Sequence, residues 1–528
     1  MILAYDFGTG GIKASLFDAE GKVLASGFDA YETFYPASGF HEQAPEYWWR
    51  ATVKATRLLV AELTPGQRAG IRAIGISGHS LGVVPLDAEG RLLRARVPIW
   101  SDSRADAEAR EFFECLLRNR DDCAPGCRVD GHLSEPNTGD AIVPIASKAR
   151  DLWYETTGCG FPPGLYSVFK LMWFKKHEPE WFNRVDVILG TKDYVNYRLT
   201  GVKATDNSYA SGSGVYDLRK RVYSPAFIAA SGLPASIFPR IVPSTQVLGT
   251  LTSEATAELG LPETVQVVAG GVDNSCMALG AGAYREGRAY ASLGSSAWIA
   301  VSSSCPLIDE RTRPYVFDHV VPGQYASALA IFSAGTSHTW LRDILGLDYA
   351  EMDKLAVEAG IGAHGLFFNP SLAGGSSLDR SPSIRGGFAN LSLGHTRGDL
   401  VRAVMEGVAF GLKGAFDALA EQVPLAPPLA LVGGGAKTHL WRQIYADVFG
   451  LAVARNPIGQ QCAALGAAAL AAVGTGIWRD FSPVDAAARA AGTASVETPD
   501  PDTVRTYAAA YRRFCALADH LADWSQEH

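Results

Sequence analysis

Two stretches of the chain alternate apolar and polar positions in the same way and break at the same kind of turn. Residues 2–5 are apolar, Asp6 follows, Gly8-Thr9-Gly10-Gly11 makes a small-residue turn, and Ile12, Ala14 and Leu16 then alternate with Lys13 and Ser15. A period of two on both sides of a glycine turn predicts a β-hairpin. Residues 289–301 repeat the pattern more loosely around Ser292-Leu-Gly294-Ser295-Ser296, without the Asp. The repetition predicts two related domains. Glycine lets successive N–H groups point into one concavity, so each turn is a candidate phosphate loop. A dinucleotide-binding unit would follow its glycines with a helix, whereas here Glu20-Gly21 closes another turn before Val23 and Ala25. The Gly-x-x-x-x-Gly-Lys-Ser/Thr spacing of a Walker loop is also missing at this site.

Between and after the hairpins the pattern switches repeatedly between strand and helix. Trp48, Trp49, Val53 and Leu58 recur at helical spacing after His41-Glu42-Gln43-Ala-Pro45, which predicts a helix packed on the first sheet. A strand over 71–77 runs into Gly78-His79-Ser80-Leu81-Gly82, and residues 97–104 read Val-Pro-Ile-Trp100-Ser-Asp102-Ser-Arg104. Loops that follow strand ends are where α/β proteins build sites. Helical patterns return near 171–176 and 192–199. Residues 118–147, rich in Asp, Arg, Pro, Gly and Asn, read as a surface insertion, and the Pro, Ser and Thr cluster near 234–250 reads as the crossover between domains. The expected division is 1–247 and 248–528. The second half then runs strand from Val265, Gly270-Gly-Val-Asp273-Asn274, helix, hairpin, and later Leu429–Val432 into Gly433-Gly434-Gly435-Ala436 before a helix from about His439. N–H groups at such a helix start favour phosphate, and consecutive glycines leave a flat slot for an adenosine.

The 528 residues exceed what one core organises, which supports two domains with a ligand cleft between them. With 47 basic against 55 acidic residues, a net charge of −8 and no basic run, nucleic acid is excluded as a partner on charge. No apolar stretch is long enough to span a bilayer, and the chain opens in a strand without signal-peptide features, so a cytoplasmic protein without a membrane partner is expected. The eight cysteines are irregularly spaced. Metal binding by Cys115, Cys123, Cys127 and Cys159 is the weaker reading beside reduced thiols, because Cys-x-x-Cys pairs are missing.

Phosphoryl transfer needs positioned phosphates, Mg²⁺ to neutralise charge and a carboxylate that accepts the proton of the attacking hydroxyl. Asp6 at a strand end could orient hydrated Mg²⁺ beside Thr9 and Lys13, while Asp273 follows two glycines that open room for a hydroxylated substrate. Each has a plain alternative: an ordinary glycine hairpin for 6–13, strand-to-helix packing for 433–436, and a helix cap for Asp273. His41 and His439 read as hydrogen-bonded structural residues. His79 lies in a loop expected to floor a sugar pocket.

Taken in order, these segments resemble the FGGY carbohydrate kinases, in particular the pentulose kinase branch that contains xylulokinase. The resemblance rests on Asp6-Phe-Gly-Thr-Gly-Gly-Ile-Lys13, Glu42-Gln43 with Trp48-Trp49, Pro98-Ile-Trp100-Ser-Asp102-Ser-Arg104, Lys170-Leu-Met-Trp173, Thr191-Lys192-Asp193-Tyr194, Gly270-Gly-Val-Asp273-Asn274, Ser292-Leu-Gly294-Ser295 and Gly433-Gly-Gly-Ala436. Gly386-Gly-Phe388 through Ala403-Val-Met-Glu406 looks like a second signature, with Asn390 where glycine is preferred. The resemblance implies an α/β fold of two duplicated ribonuclease-H-like, actin-like ATPase domains, with sugar on the N-terminal side and ATP on the C-terminal side. It implies Asp273 as general base, Asp6 serving Mg²⁺ through water, and Gly8, Thr9, Gly10, Lys13, Gly294, Ser295 and Ser296 at the phosphates. Gly335, Gly433, Gly434, Gly435 and Ala436 would meet the nucleotide. His79, Ser80, Trp100, Asp102, Tyr166, Asp273 and Asn274 would meet the sugar, a ketopentose such as D-xylulose. Xylulokinases carry Gln-Met-His-Gly where this chain has His79-Ser80-Leu81-Gly82, and Gly-Glu-Arg-Thr-Pro within the region that here reads Ala373 to Pro382. Kinases of other polyols or of the autoinducer-2 precursor therefore stay open, as does a non-kinase actin-like nucleotide switch. So do a monomer and a homodimer.

Overall fold

A computed structural model of the chain describes residues 1–118, 142–492 and 495–526. Most of the insertion expected over 118–147, including Cys123 and Cys127, lies outside these residues. Its C-terminal end differs from expectation, since the helix Ile142–Thr157 already begins there. The chain divides into two compact units. The first holds Met1–Met277 with two later returns, Tyr315–Gly323 and Ala463–Pro483; the second holds Ala278–Pro314, Gln324–Cys462 and Val484–His528.

Both units are built on one pairing scheme. In the first, the strand order is Val23–Ala30, Gly11–Phe17, Ile2–Gly8, Ala73–Gly78, Gln266–Val268, Val247–Thr250. The successive pairings are antiparallel, antiparallel, parallel, parallel and antiparallel. In the second, Tyr325–Ile331, Ala297–Ser303, Arg288–Leu293, Ala426–Val432, Val453–Arg455 and Val496–Glu497 pair with the same alternation. The sheets differ at the far edge, where the first takes its antiparallel strand from before its neighbour in the chain and the second takes it from after. Duplication is thus visible strand by strand. A short seventh strand in the first sheet, Gly271–Val272, runs parallel beside Ser77 and Gly78.

The boundary expected after residue 247 and the compact units do not coincide. Residues 247–268 form two strands of the first sheet, which tie them to Ala73–Gly78 and carry the unit on to Met277. The residues near 234–250, expected as a crossover, supply two short strands, Arg240–Val242 and Val247–Thr250.

Burial follows the apolar pattern closely in the first unit. The helix Pro45–Ala61 buries Trp48, Trp49, Ala55 and Leu59 against the sheet, but Leu58, expected in that stripe, is 64% exposed. The helix Cys462–Gly474 is apolar all round and correspondingly buried on all sides. In the second unit the 24-residue helix Arg397–Ala420 runs through the core with Val401, Val404, Met405 and Val408 fully enclosed. Among the described residues no helix is long and apolar enough to cross a membrane.

Candidate active site

In the first unit the hairpin register sets Asp6 opposite Lys13 on one side and beside Ser77 on the other. Ser77 Oγ donates to Asp6 Oδ1 at 2.9 Å. Burial raises the Asp6 carboxyl above its usual range, with Ser77 and Lys13 opposing. The turn itself is held from outside. Gln43 Nε2 donates to the Thr9 carbonyl at 2.7 Å while its Oε1 accepts from Trp48 Nε1 at 2.9 Å; Tyr31 donates to Gly8 O at 2.5 Å, and Trp100 Nε1 to Thr9 Oγ1 at 3.0 Å. Gln43, backed by Trp48, together with Tyr31 and Trp100 therefore braces the glycine turn through its carbonyls and the Thr9 hydroxyl.

Asp273 and Asn274 open the helix Asp273–Gly280 and are half-buried. Asp273 Oδ1 accepts from the Asn274 amide at 2.7 Å, so the capping alternative is realised in part. Burial first, and then the Asp6 charge, push the Asp273 carboxyl up to about 7. A carboxyl poised there exchanges protons near neutral pH.

The loops expected to meet sugar separate into two groups. His79 is buried, edge-on to Trp48, and lies 3.3 Å from Thr191 Oγ1. Burial lowers its pKa to about 4, so its ring is neutral at ordinary pH. Ser80 is half-buried and Trp100 is 37% exposed. Asp102 and Tyr166 are buried like His79, whereas Ser80 and Trp100 are not. Asp102 is fully buried, with Oδ1 accepting from Arg104 Nε at 2.9 Å and Oδ2 from Arg104 Nη2 and the His41 amide at 2.7 and 2.8 Å. Tyr166 packs on Trp153 and its hydroxyl accepts from the Phe161 amide at 3.0 Å. The structure turns both side chains away from an open pocket, because each polar atom satisfies a buried neighbour.

The second unit contains a cavity of about 500 Å³ lined by Gly294, Ser295, Gly335, Gly434 and Gly435. Its turns are laced together: Gly335 N donates to Gly294 O at 2.9 Å, and Thr336 N and Oγ1 donate to Ser295 O at 3.1 and 2.7 Å. Gly433 sits at φ +95, and a Cβ there would come within 2.6 Å of Leu293 O, so only glycine fits. Gly433, Ala436 and Ser296 do not line the cavity; Ala436 is buried and Ser296 closes the hairpin by accepting from Gly294 N at 3.0 Å. Tyr349, Asp353, Lys437 and Trp441 complete the walls.

The N-terminal and C-terminal domain models of the FGGY family of carbohydrate kinases match residues 1–121 with 145–280 and 289–475 respectively. The chain belongs to the FGGY family of carbohydrate kinases. The xylulose kinase of Escherichia coli is 31% identical, covering 90% of each chain, and that of Bacillus subtilis is 30% identical, covering 99% of this chain and 97% of that one. A crystal structure of xylulose kinase from Rhodospirillum rubrum is 29% identical and superposes with a TM-score of 0.83 over 99% of both chains. The fold is the two-domain actin-like ATPase fold of these kinases, and the enzyme is a sugar phosphotransferase that uses ATP.

Lys170, Glu406 and Cys159 are buried groups that brace loops or fill cores. Lys170 is fully buried and donates to Ile99 O and Leu81 O at 2.7 and 3.1 Å, joining the two loops that carry Trp100 and Ser80; burial lowers its pKa to about 7. Glu406 of the second signature is buried in the second core, where Oε1 accepts from Arg402 Nε at 2.6 Å, Tyr507 at 2.7 Å and the Gly362 amide at 2.9 Å. That part of the signature marks folding, not chemistry. Cys159 lies in an apolar core, and burial pushes its thiol up to about 12.

Proposed function

We propose that this kinase phosphorylates a ketopentose of the xylulose class, with Asp273 as the general base. The observation that carries the assignment of the base is the Asp273 carboxyl, half-buried at a strand-to-helix turn and lifted to about 7 by burial and by Asp6. A carboxylate with that proton affinity takes a hydroxyl proton as the oxygen attacks the γ-phosphorus. The class of sugar follows from the xylulose kinases to which the chain is 30–31% identical.

Around this base, His79, Ser80, Trp100 and Asn274 are the groups that meet the sugar hydroxyls. Asp102 and Tyr166 set the surrounding loops. In the first unit the amides of Gly8 to Gly10, with Lys13, face phosphate oxygens. In the second, Gly294 and Ser295 take phosphate, Gly335, Gly434 and Gly435 enclose the nucleoside, and Ser296, Gly433 and Ala436 shape those turns. The Asp6 charge raises the proton affinity of the Asp273 carboxyl, and two carboxyls within reach of each other fit a hydrated cation. Asp6 is the residue that would hold Mg²⁺ through water, and the bound ion supplies charge neutralisation at the phosphates. Cytoplasmic placement accords with such a small-molecule reaction.

ADP release from Mg-ATP across ketopentoses, pentitols, tetritols, glycerol and the autoinducer-2 precursor tests the reading. The expected result is one strong response to a ketopentose that falls by about 10²–10⁴ in kcat in Asp273→Asn. Full turnover in Asp273→Asn would remove that residue from the role, and a response confined to another polyol would remove the pentulose.

A further inference from the structure

We infer that Ser208, held by Asp206 and Lys192, is a positioning residue that fixes the turn presenting Asp273 for proton transfer. This rests on the reading of Asp273 as the base. The turn Ala269-Gly270-Gly271-Val272 delivers Asp273 to its helix, and three of its backbone groups are tied to one buried cluster. Ala269 O accepts from Lys192 Nζ at 3.2 Å and from Asn196 Nδ2 at 2.8 Å. Gly270 N donates to Ser244 O at 3.0 Å, and Val272 N, one residue before Asp273, donates to Ser208 Oγ at 3.0 Å. Ser208 Oγ in turn donates to Asp206 Oδ2 at 2.5 Å, the same oxygen that accepts from Ser244 Oγ at 2.7 Å. Lys192 Nζ reaches Asp206 Oδ1 at 2.9 Å and also pairs with Asp193.

Lys192, Asn196, Asp206 and Ser208 are fully buried. Burial opposes the Lys192 ammonium, but Asp193 and Asp206 outweigh it and raise its pKa, so the cluster holds a cation between two carboxyls. A buried ionic group of this kind is a poor source of stability compared with apolar packing of similar volume. What it supplies here is direction. The donors of Lys192 and Asn196 converge on one carbonyl of the turn, and Ser208 receives one amide with its own proton committed to Asp206. Gly270, at φ +71 and with a Cβ that would lie 2.1 Å from Ile76 O, lets the turn press against the central strand while the cluster grips its other side. Asp273 is thereby aimed by its backbone.

The test is steady-state kinetics on Ser208→Ala and Ser208→Thr, each alone and combined with Asp273→Asn. Ser208→Ala is expected to lower kcat by tenfold to a hundredfold with the KM for ATP within twofold, and Ser208→Thr, which keeps the hydroxyl, to recover most of that loss. In the Asp273→Asn background Ser208→Ala is expected to cost nothing further, because it acts through the group already removed. Full kcat in Ser208→Ala, or an equal further loss in the Asp273→Asn background, overturns the inference. Asp273→Asn alone judges the base, so the two readings fail separately. If Ser208→Ala does not fold, Asn196→Ala probes the other side of the turn by the same kcat and double-variant criteria.

Discussion

Replacing Gly434 by leucine tests the nucleotide pocket of the second unit while leaving its fold alone. A Cβ at Gly434 meets nothing within 4 Å, so the new side chain extends into the cavity of about 500 Å³ and not into protein. Its four heavy atoms, at roughly the 30 Å³ share of a water molecule each, take up about 100 Å³ of that space. A nucleoside displaced from about half of the apolar wall, roughly 40 Å², loses about 1 kcal/mol at about 25 cal/mol per Å². The KM for ATP should therefore rise by roughly fivefold. Initial rates against ATP at saturating sugar measure the effect, and Tm and the KM for sugar serve as controls expected to stay put. Gly335→Ala makes the contrast: its smaller side chain would come within 2.4 Å of Gly294 O, where backbone must move, so Tm and the KM for ATP should both suffer. A Gly434→Leu enzyme with the parent KM for ATP would refute the placement of the nucleoside.

Two further outcomes follow from buried groups. Lys170→Met strips the donor from Ile99 O and Leu81 O, each costing about 1–3 kcal/mol when left unpaired, so the KM for sugar should rise tenfold or more while that for ATP moves less than twofold; equal changes in both would refute a local role. His338, 6% exposed, has its pKa lowered from 6.5 to about 4 by burial and, secondarily, by Arg342. The unfolded chain takes up this proton near pH 6.5 and the folded chain only near 4, so the neutral ring's stability is intact above 6.5 and drains away as pH falls. The slope is about 1.4 kcal/mol per pH unit. His338→Phe removes that titration, and urea unfolding should show it gaining on the parent protein from pH 6.5 down to 4.5. Parallel stability curves would refute the assignment.

What the sequence disclosed was largely its turns. Gly8 to Gly11, Gly294 to Ser296 and Gly433 to Gly435 are visible because small residues between apolar strands have few other uses. The residues that complete the sites come from helices, where side-chain spacing reports a buried face but not what that face touches. Tyr349, Asp353 and Trp441 look like ordinary positions of amphipathic helices, yet they wall the cavity. Lys192, legible only as part of a helical segment, is fully enclosed. The unit boundary escaped for a related reason. Strand pairing between Ala73–Gly78 and Gln266–Val268 joins residues nearly two hundred positions apart, and local pattern carries no record of such a pairing. Asp102 shows the converse error: a carboxylate after a strand end has the look of a ligand group, but Arg104 two residues on already satisfies it.

Buried cations recur at the loops of both units, and they bind carbonyl oxygens there. Lys170 takes those of Leu81 and Ile99, Lys192 that of Ala269, and in the second unit Arg442 takes those of Ala436 and Lys437 at 3.0 and 2.9 Å while Glu497 holds its Nε at 2.9 Å. A carbonyl turned inward onto a cation fixes the peptide plane, and the amide at the other end of that plane then faces the opposite way. Those amides are engaged inside the protein as well: Gly82 N donates to the Tyr209 hydroxyl at 3.1 Å, Gly270 N to Ser244 O at 3.0 Å and Lys437 N to Gly434 O at 3.1 Å, so each of these planes is held at both ends. The cost of burying charge is high for stability and low for function, because the same charge would otherwise have to be replaced by several separate hydrogen bonds to hold each plane. Arg402 offers the comparison within the same fold: its hydrogen bonds go to Glu406 and Tyr507, both buried in the core.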